Sequence, residues 1–334
     1  MAKIEIFDDE AFSVISLTAA IQETEHVPGR IAELGLFDEK GITSTIAKIE
    51  YDGTRLMLVP AKPRGGVGTP TVLKGRRSIT VETVHLPLTA TMMADEIQGI
   101  RAFGSMSELE VAQRRLNQYL TTHRQSLDLT HEWQRVGAIN GLILDADGTS
   151  VLEDVYDRFG IEKTKFHMQL DKATTFARTQ SENVLDLISD ALNGMPVRKA
   201  RALCGKKYWE DLINHKSVRE TYLNTTQAAE LRGHTADEFE LGGVIYERYR
   251  GSLNKVPFIP DEEARAFPVG IPDFFITRFA PADYMEVANS EGVPFYSKLE
   301  TMRFNKGIEI ESQSNPLHMP TLPQGIIHLQ AGSK

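Results

Sequence analysis

From Ser105 to Ile143 the apolar residues keep helical spacing for longer than an ordinary globular helix runs. Ser105 is placed as an N-cap, and Glu108, three residues on, completes a capping-box pattern. Leu109, Ala112, Leu116, Tyr119, His123 and Leu127 follow at steps of three and four. The pattern extends less evenly through Trp133, Val136, Ile139 and Ile143 before the turn-forming Asp145-Ala-Asp-Gly148. At 1.5 Å per residue a helix over 105–144 would be about 60 Å long. Such an element is either the spine of its domain or is broken once, near 127–131.

Upstream lies a β-rich region. The runs 42–50, 55–60 and 78–86 carry β-branched residues in partial alternation, with Ile79 and Val81 opposing Ser78, Thr80 and Glu82. Asp52-Gly53 reads as a hairpin turn between the first two runs. Between the second and third lies AKPRGGVGTPTVLKGRR, which is basic and rich in glycine and proline. A loop of that length is unusual inside a compact domain. If it projects, its flanking strands form a long arm that needs a partner for stability.

The remaining segments alternate without βαβ regularity, which points to an α+β chain. Residues 10–23 suit a short helix or an amphipathic arm lying on a neighbour, and 30–36 suit a short helix ended by Gly35. Residues 151–159 fit a strand or a short helix. Helices are expected over 171–192, 206–214 and 216–231, and weakly over 281–289. Strand character appears at 239–249, at 254–259 and 273–279 around a proline- and acid-rich connection, and at 307–312 and 325–330.

With 46 acidic and 37 basic residues the net charge is −9, which argues against a broad basic face for gripping nucleic acid. Cys204 is the single cysteine, so no intramolecular disulfide forms, and it is read as a small core residue in an intracellular setting. The opening MAKIEIFDDEAF lacks the basic and apolar regions of a signal peptide, and no apolar stretch approaches the roughly 20 residues that span a bilayer.

Each chemical motif is incomplete. Arg64-Gly-Gly-Val-Gly-Thr69 lacks the Gly-Lys-Ser/Thr ending of a phosphate-binding loop. Asp145, Asp147 and Gly148 open like a calcium loop, but Tyr156 stands where a bidentate glutamate belongs. His131-Glu132 is followed by Arg135 where a zinc site needs its second histidine. The pairs Asp38-Glu39 and Glu262-Glu263 read as solvated acids. Arg101, Arg114, Arg115, Arg124 and Arg135, on or beside the long helix, fit equally well as contacts to acids of a neighbouring copy and as local surface charge.

Several blocks in order carry a further reading. They are Val27-Pro-Gly-Arg30-Ile-Ala-Glu33-Leu-Gly35-Leu-Phe37, Gly41-Ile-Thr-Ser-Thr45, Pro63-Arg64-Gly65-Gly66, His85-Leu86-Pro87-Leu88 and Ala94-Asp95-Glu96-Ile97-Gln98-Gly99-Ile100-Arg101-Ala102-Phe103-Gly104. Toward the end come Tyr249-Arg250-Gly251 and Ala280-Pro281-Ala282-Asp283-Tyr284. Over nearly its whole length the chain resembles the major capsid proteins of tailed phages in the lambda-like capsid E family.

The resemblance implies an α+β, HK97-like capsid fold. Its parts map here to an N-terminal arm and linker over 1–40, an E-loop hairpin region over 41–90, and a P-domain over 91–174 with its spine helix at 105–144. An A-domain follows over 175–300, and 301–334 would return strands to the P-domain. The implied function is structural: self-assembly into hexamers and pentamers of an icosahedral shell around double-stranded DNA, passing through a procapsid that matures. The implied partners are other copies of the chain, a portal protein, a separate scaffolding protein or protease, a decoration protein, and DNA bound without sequence specificity. No membrane, cofactor or metal is implied. The protein would reside in the virion capsid after assembly in the host cytoplasm. Arg64, Lys74, Arg76, Arg77, Arg101, Arg114 and Arg115 are the candidate intersubunit contacts, and no covalent intersubunit crosslink is expected. The rival readings are an encapsulin-like or other phage-derived compartment shell, and a soluble enzyme with an unrecognised site.

Overall fold

The computed structural model describes residues 12–24, 29–51, 77–97, 108–193, 195–223, 237–253 and 256–333. Contacts divide the chain into two compact units. One takes Met1–Lys48, Thr80–Arg135 and Phe275–Met319, and the other takes Ile49–Ile79, Val136–Phe274 and Pro320–Lys334.

Of the span expected at 105–144, Glu108–Asn140 forms one unbroken helix, Leu142–Leu144 is a strand, and the Ser105 N-cap lies outside the described residues. No break occurs near 127–131, where Leu127 is buried in the core and His131 Nε2 is bonded to Ser314 Oγ. The helix stops at Gly141, whose φ of +79° is left-handed, and a Cβ there would strike the Tyr156 ring. A side chain at this position is therefore excluded twice, by backbone and by space.

In the first unit an antiparallel sheet takes Tyr296–Thr301, Gly307–Ser314 and Leu86–Met93 in that order. Leu88, Met92, Ile308, Ile310 and Leu299 turn toward Leu116, Leu120 and Leu127 of the long helix and toward Leu17 and Ile21 of the helix Val14–Glu23. The expected segment near 10–23 is thus a helix seated on its own chain. A second sheet places Phe275–Phe279 between Phe37–Gly41, to which it is parallel, and Pro316–Pro320.

The second unit is built on six strands in the order Thr164–His167, Ile327–Gln330, Glu263–Pro268, Ala200–Cys204, Val244–Arg248 and Glu238–Leu241. Ala200, Ala202, Ala264 and Ala266 are fully buried in the middle strands, and the helix Ala177–Ala191 packs in this unit with Ser181 Oγ bonded to Tyr246 OH at 2.8 Å. Glu263–Pro268 and Ala200–Cys204 escaped the sequence reading. Buried on both faces, they lack alternation, and buried Arg265 interrupts the apolar run; its guanidinium is held by Glu263 at 2.6 Å. Tyr296–Thr301 was also missed.

Residues 151–159 combine both expectations, a strand Val151–Asp154 passing into a helix Val155–Phe159 with Asp154 as its N-cap. The helices expected at 206–214 and 216–231 are Lys206–Asn214 and Lys216–Leu223, and 224–236 lie outside the described residues. Near 281–289 only a short 3₁₀ turn forms, Met285–Val287.

Candidate assembly elements

Ile46–Tyr51 and Arg77–Glu82 pair as a two-stranded ribbon, extended by a bond from Thr83 N–H to the Thr45 carbonyl. The run 42–50 therefore pairs with 78–86. The expected run 55–60, the Asp52-Gly53 turn and the tip with Arg64, Lys74 and Arg76 lie outside the described residues, as does Arg101. Arg77 opens the second strand. Ala47, Ile49 and Val81 are buried, so one face of the ribbon is already covered within the chain. Among the described residues the ribbon has these two strands, and a two-stranded sheet is marginal without further pairing.

The arginines of the long helix part company. Arg114 is exposed. Arg115 binds Glu96 through Nε at 3.0 Å and through Nη2 at 2.8 Å, while Tyr119 OH donates to the same carboxylate oxygen. The guanidinium beside it holds the Glu96 carboxyl below its ordinary range. Glu96 in turn accepts the Met93 N–H, so this cluster ties the helix to the end of a sheet strand.

Arg124 and Arg135 correct the sequence reading, since they are neither surface charge nor poised for a neighbour. Each is 7% exposed. Arg124 Nη1 donates to the Ile21 and Gln22 carbonyls at 3.0 and 3.2 Å, and its guanidinium lies 3.9 Å over the Phe295 ring. Those carbonyls end the helix Val14–Glu23 and have no partner within it, so the cation satisfies them and opposes the negative end of the helix dipole. Arg135 pairs with Glu39.

Beneath these contacts runs a buried polar seam that sequence reasoning did not find. His123 meets Ser312 Oγ, His131 meets Ser314 Oγ, and His318 meets Thr277 Oγ1, at 2.8–2.9 Å. The ring of His131 stacks on Phe295 and lies 5.4 Å from that of His318. Burial drives both imidazoles well below their ordinary pKa, and the positive charge of Arg135 pushes the same way. Glu132 Oε1 accepts the Ile31 N–H at 2.9 Å, and a Cβ on Gly29 would collide with the same side chain. The Val27-Pro-Gly-Arg30 block thus needs glycine because a carboxylate of the long helix rests against it. Regular three- and four-residue spacing marked the helix, but partners nearly two hundred residues away could not be inferred from it.

The weak chemical motifs resolve into structure. Asp147 accepts the Thr149 and Ser150 N–H groups in a solvent turn. Cys204 is fully buried, which raises its thiol pKa. Asp38 and Glu39 face Arg278 and Arg135, while Glu262 and Glu263 face Lys207 and Arg265. Among the described residues no group of three or more His, Cys, Asp or Glu could hold a metal ion, and no helix is long and apolar enough to cross a membrane.

Comparison with known proteins decides the class. The model of the family described as phage major capsid protein E matches residues 13–331. The chain belongs to that family. It is a major capsid protein of a phage shell, with an α+β, HK97-like fold. The major capsid protein of Salmonella phage Felix O1 is 24% identical, with 97% of each chain covered. That of Pseudomonas phage KPP10 is 26% identical, covering 95% of this chain and 96% of its own. Two solved structures share the fold at a TM-score of 0.52. A phage-related protein from Bordetella bronchiseptica RB50 is 13% identical with 95% and 96% coverage, and the capsid of a native GTA particle is 9% identical with 92% of each chain covered. The family match begins at residue 13, so the clamped helix Val14–Glu23 lies within the part shared with the family.

Proposed function

We propose that copies of this chain assemble as hexamers and pentamers into an icosahedral shell around double-stranded DNA, and that the chain carries no catalysis of its own. The family match over residues 13–331 carries this reading. The ribbon supports it, since among the described residues it has two strands and a neighbouring copy would supply the further pairing that a two-stranded sheet needs. The net charge of −9 also suits a wall that encloses DNA without gripping it. In this reading 1–40 serve as arm and linker, 41–90 as E-loop, 91–174 as P-domain, 175–300 as A-domain, and 301–334 as closing strands. Assembly takes place in the host cytoplasm with a portal, a separate scaffold or protease, and a decoration protein, and the shell matures from a procapsid.

The basic residues Arg64, Lys74, Arg76 and Arg77 are proposed to meet acidic surface on a neighbour, with Arg101 and Arg114 as further contacts. Arg115 has its internal Glu96 pair to give up before it joins them. Negative-stain microscopy of the expressed chain should show closed shells or hexameric capsomers, and a stable compact monomer would overturn the proposal. Reversing charge with Arg76→Glu and Arg77→Glu should lower particle yield while monomer folding stays unchanged. Normal yield would remove the basic tip from the assembly mechanism.

A further inference from the structure

The strands Tyr296–Thr301 and Gly307–Ser314 are joined by a tight turn whose tip carries Phe304 at φ +62° and ψ 18°. The other non-glycine residues with positive φ among those described are Gln169, Asn193, Asp273, Asn289 and Asn305. Asn and Asp tolerate the left-handed region because a short polar side chain bonds to the local backbone, whereas a bulky aromatic has no such compensation. Phe304 is also 89% exposed. Within one copy, then, the residue strains the turn and leaves an aromatic ring in water. Asparagine or glycine would relieve both.

The turn beneath the ring is firm. Met302 N–H bonds to the Gly307 carbonyl at 3.0 Å and Asn305 N–H to the Met302 carbonyl at 3.1 Å, and the two strands stay in register behind them. Exposed Arg303 and Lys306 flank the ring, with the Lys306 ammonium 6.0 Å from its centroid. A rigidly presented aromatic beside cations has the composition of an interface anchor, and its preorganisation lowers the entropy lost on docking. A second copy offers carboxylates for these two cations, since each copy carries 46 acidic against 37 basic residues.

Building on the shell-forming reading above, we infer that Phe304 anchors one copy of this chain to a second copy, its ring entering an apolar recess while Arg303 and Lys306 meet carboxylates at the rim. Meeting tip to tip would bring like charges together, so the contact is heterologous, with the tip of one copy on a different surface of the next.

The substitution Phe304→Gly separates the anchor from the fold. In the full-length protein it should leave the urea midpoint of the unassembled protomer equal or higher, because the left-handed turn suits glycine. In sedimentation velocity it should raise the concentration needed for self-association by about tenfold or more, the scale expected when an interface anchor is truncated. Phe304→Trp should retain association. Wild-type-like association of the glycine variant would overturn the inference. A lowered midpoint would overturn it too, by showing that the ring serves its own protomer. Normal self-association with loss of a scaffolding or decoration protein from the particles would assign the tip to that partner and refute the copy-to-copy contact. If the unaltered chain stays monomeric throughout, the shell-forming reading itself fails, a result distinct from the failure of Phe304 alone.

Discussion

Replacing Arg124 with methionine should release the N-terminal helix without unfolding the chain. The substitution keeps an apolar stem over the Phe295 ring and removes only the cation. Two hydrogen bonds to the Ile21 and Gln22 carbonyls disappear, along with the Asp128 pair and the contact to the ring. Bonds from a charged donor contribute about 1.5 kcal/mol each at the low end, and the cation–ring contact about 1 kcal/mol. Water recovers part of this at a frayed helix end, leaving a net loss of about 3 kcal/mol. The free energy for opening Val14–Glu23 should fall by that amount, which accelerates amide exchange there by roughly 150-fold. Hydrogen exchange read by mass spectrometry on peptides spanning 14–23 and 112–135 would measure it. Unchanged exchange over 14–23, or acceleration spread evenly into the long helix, would refute the idea of a local clamp.

Acid should weaken the fold through its buried imidazoles. Burial holds His328 at a pKa of about 3, and His131 and His318 well below the usual value, so above pH 6.5 these groups are neutral whether the chain is folded or not. Below pH 6.5 the unfolded chain takes up protons that the folded one refuses, and each such histidine costs up to about 1.4 kcal/mol per pH unit until its folded pKa is reached. Urea midpoints should be level from pH 8 to 6.5 and fall from 6.5 toward 4.5, and His328→Gln should flatten part of that slope. Gly141→Ala, by forcing a Cβ into the Tyr156 ring at a left-handed φ, should destabilise the protein by about 2 kcal/mol or more in chemical denaturation. Tyr246→Phe, which leaves Ser181 Oγ with only its bond to the Ala177 carbonyl, should cost about 1 kcal/mol in the same assay.

Local physics made part of this chain readable in advance. Three- and four-residue spacing marked the helix that became Glu108–Asn140. Gly35 was legible as the end of a short helix because its left-handed φ is one that glycine adopts without strain, whereas the stop at Gly141 was not legible. The ordered blocks from Val27 to Tyr284 pointed to the capsid family before any geometry was known. Short-range pattern was silent where burial is two-sided, as in Ala200–Cys204 and Glu263–Pro268, because a strand covered on both faces has no polar alternation to show.

The sequence by itself determined the element types with strong period, the turn chemistry, the acidic balance and the family. Tertiary structure decided what each charge is for. Arg124 and Arg135 looked like their exposed neighbour Arg114, yet the fold buries them against the end of one helix and the side of Glu39, pairings across about a hundred residues of chain. It also set Phe304 on a turn that strains its backbone and leaves its ring outside. Spacing along a chain reports which face a residue shares, whereas burial and pairing depend on what long-range folding brings against that face.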